Sequence, residues 1–307
     1  MKISTSLFYD RAVSQMTGSQ NRLAESQAQL SSGKNVLRPS DAPDQATMIQ
    51  RLKSVIDRHK SFEATIDAAN SRLQAEETAL TGVTDLLTRF KELMMQASND
   101  SYSPSDRQTI AIELQGLQDD LLSFANARDV NGAYLFSGSR VFTQPFADDA
   151  AGRITYQGDE TVNLIDVGDQ RSIRGNRTGT EVFSRVVREQ PDGSSQGVSF
   201  FEALEDSIVA VRSESREGMR RGLSEVESLS ETVALGLARI GSNMNVVDSQ
   251  RRVMEETSLQ LKVVLSGIED LDYTEAVTKM QKQMLSLEAS QASFAQISRL
   301  SLFEYIR

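Results

Sequence analysis

Apolar residues recur every seven positions along most of this chain. Tyr9, Met16, Leu23 and Leu30 form one such series, with Val13 three residues before Met16. The spacing predicts an amphipathic helix from about Thr5 to Ser32 with a thin apolar seam. Gln20 and Gln27 occupy the companion positions, so the seam is weak and the isolated helix marginal in water. A longer series runs through Leu52, His59, Ile66, Leu73, Leu80, Leu87 and Met94, with Ile49 and Ile56 beside it. It predicts one helix of about 55 residues, about 80 Å long. After "NDSYSPSD" a shorter helix carries Ile110, Leu114, Leu117, Leu121 and Phe124, with Pro104 suited to its first turn. In the second half, "SFFEALEDSIVAV" opens a helix. Val226, Val233, Ile240, Val247, Met254, Leu261 and Ile268 then repeat the seven-residue spacing. Leu237, Met244 and Leu265 are companions and Arg251 interrupts them. Gly267 is expected to end this run. Asp272 to Glu275 read as a capping box. A last helix carries Val277, Met280, Met284, Leu287 and Phe294, then Ile297, Leu300 and Phe303 as the stripe drifts.

Between the first two series lies "LSSGKNVLRPSDAP", Leu30 to Pro43. Gly33 serves as a stop signal, Pro39 and Pro43 keep the chain extended, and Asp44 is expected to cap the next helix. We read Gly33, Pro39, Ser40, Asp41 and Pro43 as a hinge. Further on, "DVNGAYLFSGSR" has an Asn-Gly turn signal, then Tyr134 and Phe136 in an alternating, strand-like pattern. From Thr143 to about Gly197, short alternating runs between Gly and Asp turns predict a β-rich insertion able to stand alone. The layout is close to mirror-symmetric, so the two long stripes pair with each other and the two breaks fall at the same height. The expected fold is mainly α: an elongated helical rod from both chain halves, terminal coiled-coil helices and a small β-rich inserted domain. The expected division is 1–40 with 270–307, 41–142 with 198–269, and 143–197. The seams of the terminal helices are narrow enough that other chains are expected to complete them.

Composition adds exclusions. The 307 residues carry a net charge of −10, which argues against nucleic acid and anionic membranes as partners. Aromatics are 6%, with no Trp, fitting helices that bury a narrow stripe. There is no Cys, hence no disulfide framework and no thiolate chemistry. The first residues lack the apolar core of a cleaved signal peptide, and no run approaches the roughly 18 apolar residues of a membrane span. His59 is the single histidine and sits on a heptad stripe, so it reads as a seam residue. Asp119–Asp120 and Glu255–Glu256 read as solvated faces. "SSGK" at Ser31 to Lys34 lacks the earlier glycine of a phosphate loop, because position 28 is Ala. "RSIRGNR", Arg171 to Arg177, reads as a turn of the β insertion. The Asn99 and Asn176 triplets match a glycosylation acceptor but lack a secretory context. We expect no enzyme activity, no metal and no cofactor.

The stretch "LSSGKNVLRPSDAPDQA" resembles the N-terminal signature of the flagellin family. "NGAYLFSGSR" resembles that family's hairpin after its second long helix. The prolines of "RPSDAP" and the ending "LSLFEYI" are more similar to the hook-associated branch than to filament flagellin. Many relatives have a second Asp where this chain has Ala42. The resemblance implies export unfolded through the flagellar type III apparatus, without signal cleavage, to an extracellular place at the hook–filament junction. It implies a ring of copies whose terminal helices form an inner coiled-coil tube, with the rod outside and the β insertion outermost. The implied partners are further copies, a hook-associated protein on the hook side, flagellin on the filament side, and an export chaperone at the C-terminal helix. The subunit contacts would be Tyr9, Val13, Met16, Leu23, Leu30, Val277, Met280, Met284, Leu287, Phe294, Ile297, Leu300 and Phe303. The competing readings are filament flagellin and a type III-secreted coiled-coil scaffold or translocator.

Overall fold

The structure is a computed structural model that describes residues 2–150, 152–189 and 195–305. It holds the helices α1 (Lys2–Ser32), α2 (Pro43–Ala97), α3 (Pro104–Ala125), α4 (Gly179–Val182), α5 (Phe200–Arg212), α6 (Arg216–Glu269) and α7 (Tyr273–Tyr305). Three two-stranded antiparallel pairs lie between α3 and α5. These are β1 (Phe146–Asp148) with β2 (Ile154–Tyr156), β3 (Leu164–Gly168) with β4 (Arg171–Arg174), and β5 (Val186–Glu189) with β6 (Ser195–Val198). The chain forms two compact units, Met1–His59 with Glu256–Arg307, and Lys60–Glu255.

In the Lys60–Glu255 unit the heptad residues do what their spacing requires. Ile66, Leu80, Leu87 and Met94 of α2 are buried, as are Val226, Val233, Ile240 and Val247 of α6, all in one core. The ion pairs Asp67–Arg251 (2.6 Å) and Lys91–Glu227 (2.8 Å) are equally far apart on the two helices. Together they fix an antiparallel alignment in which the two apolar series face each other. Ser103 caps α3 in a full capping box with Asp106, behind Pro104 in the first turn. A Cβ on Gly82 would stand 2.6 Å from the Phe124 ring, so glycine is what lets α3 lie this close to α2. Ser199 and Glu202 form the corresponding box on α5.

The β-rich stretch shares its core with the helices. Phe146, Val167, Ile173, Val182, Phe183 and Val198 belong to the same buried cluster as the α2 and α6 series. Phe146 and Phe183 stand 5.2 Å apart between ring centres, and Phe183 lies 5.2 Å from Phe200 of α5. Asn126, just beyond α3, accepts from the Phe146 amide (3.0 Å) and donates to its carbonyl (2.9 Å). The expected stand-alone insertion is therefore built into the helical core by its aromatic side chains.

Polar residues make further joints. Residues 133–138 are all buried and form isolated bridges in place of the expected strand. The Arg72 guanidinium donates to the Leu135 carbonyl (3.0 Å), and the bridges join Tyr134 to Arg128 and Ser137 to Thr178. Arg177 is buried, and its Nε lies 2.7 Å from Glu76 of α2. The basic stretch at 171–177 is thus partly an internal ion pair and not simply a solvated turn. Burial pushes the Glu76 carboxyl up, against the opposite pull of Arg177 and Arg72. Asn176 is also buried, bonded to the Asn163 amide and the Thr161 carbonyl at 2.7 Å each.

Candidate functional site: the α1–α7 pair and the paired breaks

Helices α1 and α7 pack together within the Met1–His59 and Glu256–Arg307 unit. Their contact is narrow. Tyr9 and Phe294 meet edge to face with ring centres 5.5 Å apart. Buried Ser26 donates to the Gln283 side chain at 2.9 Å. Leu287 is 8% exposed, and Ala276, about three turns earlier on the same face of α7, is also buried. Met16, Leu23, Leu30, Met280 and Phe294 are half-buried. By contrast Val13 is 51% exposed, Met284 46% and Val277 38%. The side chains of Ile297, Leu300 and Phe303 lie outside the described residues.

Leu287 and Met284, which share one stripe in the sequence, are thus divided. A spacing of three turns a residue about 60° from its neighbour on a helix. A single partner as thin as α1 covers the Ala276–Met280–Gln283–Leu287–Ser290–Phe294 line and leaves Met284 out. On one flank of the pair runs an open groove of about 620 Å³, lined by Ser19, Arg22, Lys279, Lys282 and Gln283 among others.

The two breaks in the helical pattern meet. Gly33 ends α1 with φ +69°, the left-handed conformation that glycine tolerates. From there the chain pairs with the end of α6. The Asn35 amide donates to the Glu269 carbonyl (2.8 Å), and the Leu271 amide to the Gly33 carbonyl (3.0 Å). The Lys34 and Lys53 ammonium groups reach the same Glu269 oxygen, Oε1, at 2.7 and 2.8 Å. The hydrogen bond from Lys34, seconded by Lys53, holds the Glu269 carboxyl below the usual carboxylate range. The same bond raises the Lys34 ammonium. Sequence reasoning named Gly33 here but missed Lys34, Lys53 and Glu269. Their signal was a carboxylate at the end of the second heptad series, level with two lysines near the start of the first.

Beyond the pairing, Arg38 to Asp41 form a tight turn. The Asp41 amide donates to the Arg38 carbonyl, and the Arg38 amide to the Asp41 carboxylate, at 3.0 Å each. Ser40 donates to Asp41 at 3.2 Å, and Pro39 and Ser40 are exposed. Pro43 opens α2 as its first residue, where its missing N–H costs nothing. Asp44 therefore sits in the first turn, two places past the cap position, which Ala42 occupies. Gly267 lies inside α6, which runs on to Glu269. Asp272 accepts from the Thr274 and Glu275 amides (2.8 and 3.2 Å) and caps α7.

His59 is buried on α2 in this unit, and its Nδ1 has no hydrogen-bond partner among the described residues. Among the described residues no three His, Asp or Glu side chains converge as metal ligands, and no helix is long and apolar enough to cross a membrane.

The comparisons agree on one family. The bacterial flagellin N-terminal helical region matches residues 3–141, and the bacterial flagellin C-terminal helical region matches residues 223–306. Flagellar hook-associated protein 3 of Salmonella typhimurium is 26% identical over the whole of both chains. The protein of the same name in Escherichia coli is 27% identical over 99% of each. The fold is shared with a hook-associated protein from Vibrio parahaemolyticus, with a TM-score of 0.67 and 20% identity, over 75% of this chain and all of that one. With both flagellin helical regions in place, paired as α1–α7 and α2–α6, this chain belongs to the flagellin family.

Proposed function

We propose that this chain is a structural subunit of the bacterial flagellum, the adaptor between hook and filament, and that it polymerises through α1 and α7. The observation that carries this reading is the end-to-end similarity to two proteins named flagellar hook-associated protein 3. The geometry of α1 and α7 supports the polymerising role. A thin two-helix contact leaves Val13, Val277 and Met284 exposed, and helices this weakly buried gain most from neighbours. Burying a large apolar side chain contributes about 1.5–3 kcal/mol, so several such residues on several copies offset the ordering of two marginal helices. The half-buried seam residues Tyr9, Met16, Leu23, Leu30, Met280 and Phe294 would be covered in the same step, with Ile297, Leu300 and Phe303 further along α7. The finer parts of the reading are a ring of copies outside the cell, a hook-associated neighbour on one side and flagellin on the other. They also include export without signal cleavage and an export chaperone on α7.

Met284→Asp is the informative variant, because Met284 is exposed whereas Leu287 is part of the chain's own α1–α7 contact. In a strain lacking its hook-associated protein 3, the unaltered chain should restore filaments and appear by immunogold at the hook tip only. The Met284→Asp chain should be exported and folded but absent from hook tips, with flagellin shed into the medium. Labelling along whole filaments would identify a filament flagellin. Full filaments with Met284→Asp would remove this face of α7 from the subunit contact.

A further inference from the structure

The paired breaks contain a charge arrangement that the assembly role does not use. Glu269 is 10% exposed in its side chain, at the end of α6. Lys34 comes from the segment after α1, and Lys53 from α2. Both ammonium nitrogens converge on the single oxygen Oε1, at 2.7 and 2.8 Å. The two cations, with side chains 49% and 40% exposed, share this one oxygen, and Asp270 adds a second, weaker attraction for Lys34. Neutralise the carboxylate and the main attraction is lost, while two like charges are left close together, eased in part by Asp270 and by solvent. Around this point the backbone is joined by the bonds between Gly33–Asn35 and Glu269–Leu271. Gln29 of α1 adds a bond to the Asn35 carbonyl at 2.8 Å. The Tyr273 hydroxyl, at the start of α7, stands 2.8 Å from where a Gly33 Cβ would lie. The end of α1 and the start of α7 therefore both meet the joined segment that carries Lys34.

We propose that Glu269 is a release catch: its charge keeps the two breaks joined and the α1–α7 pair ordered, and loss of that charge frees the pair while the α2–α6 core stays closed. The α1–α7 contact is too narrow to order itself, with Ala276, Leu287 and Ser26 as its buried described side chains. Its anchorage at the breaks is what a local change of charge can undo. This inference concerns the free chain and does not depend on the flagellar reading.

Hydrogen–deuterium exchange of the full chain tests it. Glu269→Gln keeps the shape and removes the charge. Exchange in residues 20–35 and 273–288 should quicken about tenfold, while residues 66–94 keep their protection. The second variant combines Lys34→Gln with Glu269→Gln and removes one of the two opposed cations. It should slow exchange about threefold relative to Glu269→Gln alone. A role in packing alone gives no such rescue. The catch is refuted if Glu269→Gln exchanges like the unaltered chain or loosens residues 66–94 equally. It is also refuted if the double variant exchanges as fast as the single one.

Discussion

Gly33 shows how much one backbone angle can decide. Its φ of +69° ends α1 and points the chain at the end of α6. A methyl group there would be strained by the angle and pressed on the Tyr273 hydroxyl. Gly33→Ala should therefore cost about 1 kcal/mol or somewhat more. The loss should appear as faster amide exchange in α1 and α7. Glu269 makes a pH-dependent contribution whose sign follows from its lowered carboxyl. The unfolded chain binds that proton more readily than the folded one. The stability it provides is complete above the ordinary value of 4.5 and lost as pH falls through the lowered one. Exchange in α1 and α7 should thus accelerate on acidification below about pH 4.5, and Glu269→Gln should remove most of that slope. Glu76 has the opposite sign. Burial raises its carboxyl, so the stability lost by keeping it charged appears as pH rises through its elevated value.

Among the elements, the helices were legible because their apolar periods run long enough to repeat. The Ser103 cap was half-legible, through Pro104 and the polar cluster before it. Ser103→Ala should cost about 1 kcal/mol, measurable as a lower melting temperature. The β-rich stretch was legible as strands and turns, but its attachment was not. Phe146, Phe183 and the Phe200–Phe201 pair are distant in sequence and meet only in the fold. Arg177 with Glu76, and Arg188 with Glu225, are joined across elements in the same way. No local pattern marks a charge that will be buried by a partner 37 or 101 residues away. For the same reason the stripe of α7 read as one face, until α1 covered Leu287 and left Met284 open. Replacing residues 143–197 by a short Gly-Ser bridge should uncover Phe200 and Phe201 and the neighbouring α2–α6 core. We expect this deletion to broaden the thermal transition and lower its midpoint, followed by circular dichroism.

Taken whole, the two units differ in how much they bury. Among the described residues, the apolar side chains buried in the Met1–His59 and Glu256–Arg307 unit are Ile49, Ala276 and Leu287. The Lys60–Glu255 unit holds the continuous core. Cooperative stability follows buried apolar contact, so the two should open separately. Calorimetry of the free chain should show a weak early transition and a stronger later one. A single sharp transition by both calorimetry and exchange would contradict this. The hook-associated reading was legible in the hinge and the ending, whereas the exposure of Val13, Val277 and Met284 needed the fold. The antiparallel alignment of α2 with α6 also constrains how such a chain can change length. Facing residues repeat every seven on both helices and are pinned by Asp67–Arg251 and Lys91–Glu227. An insertion of one heptad in α2 slides every later apolar residue past its partner unless α6 gains a heptad at the facing level. Insertions and deletions tolerated in these two helices should therefore come as matched pairs, one in each half of the chain.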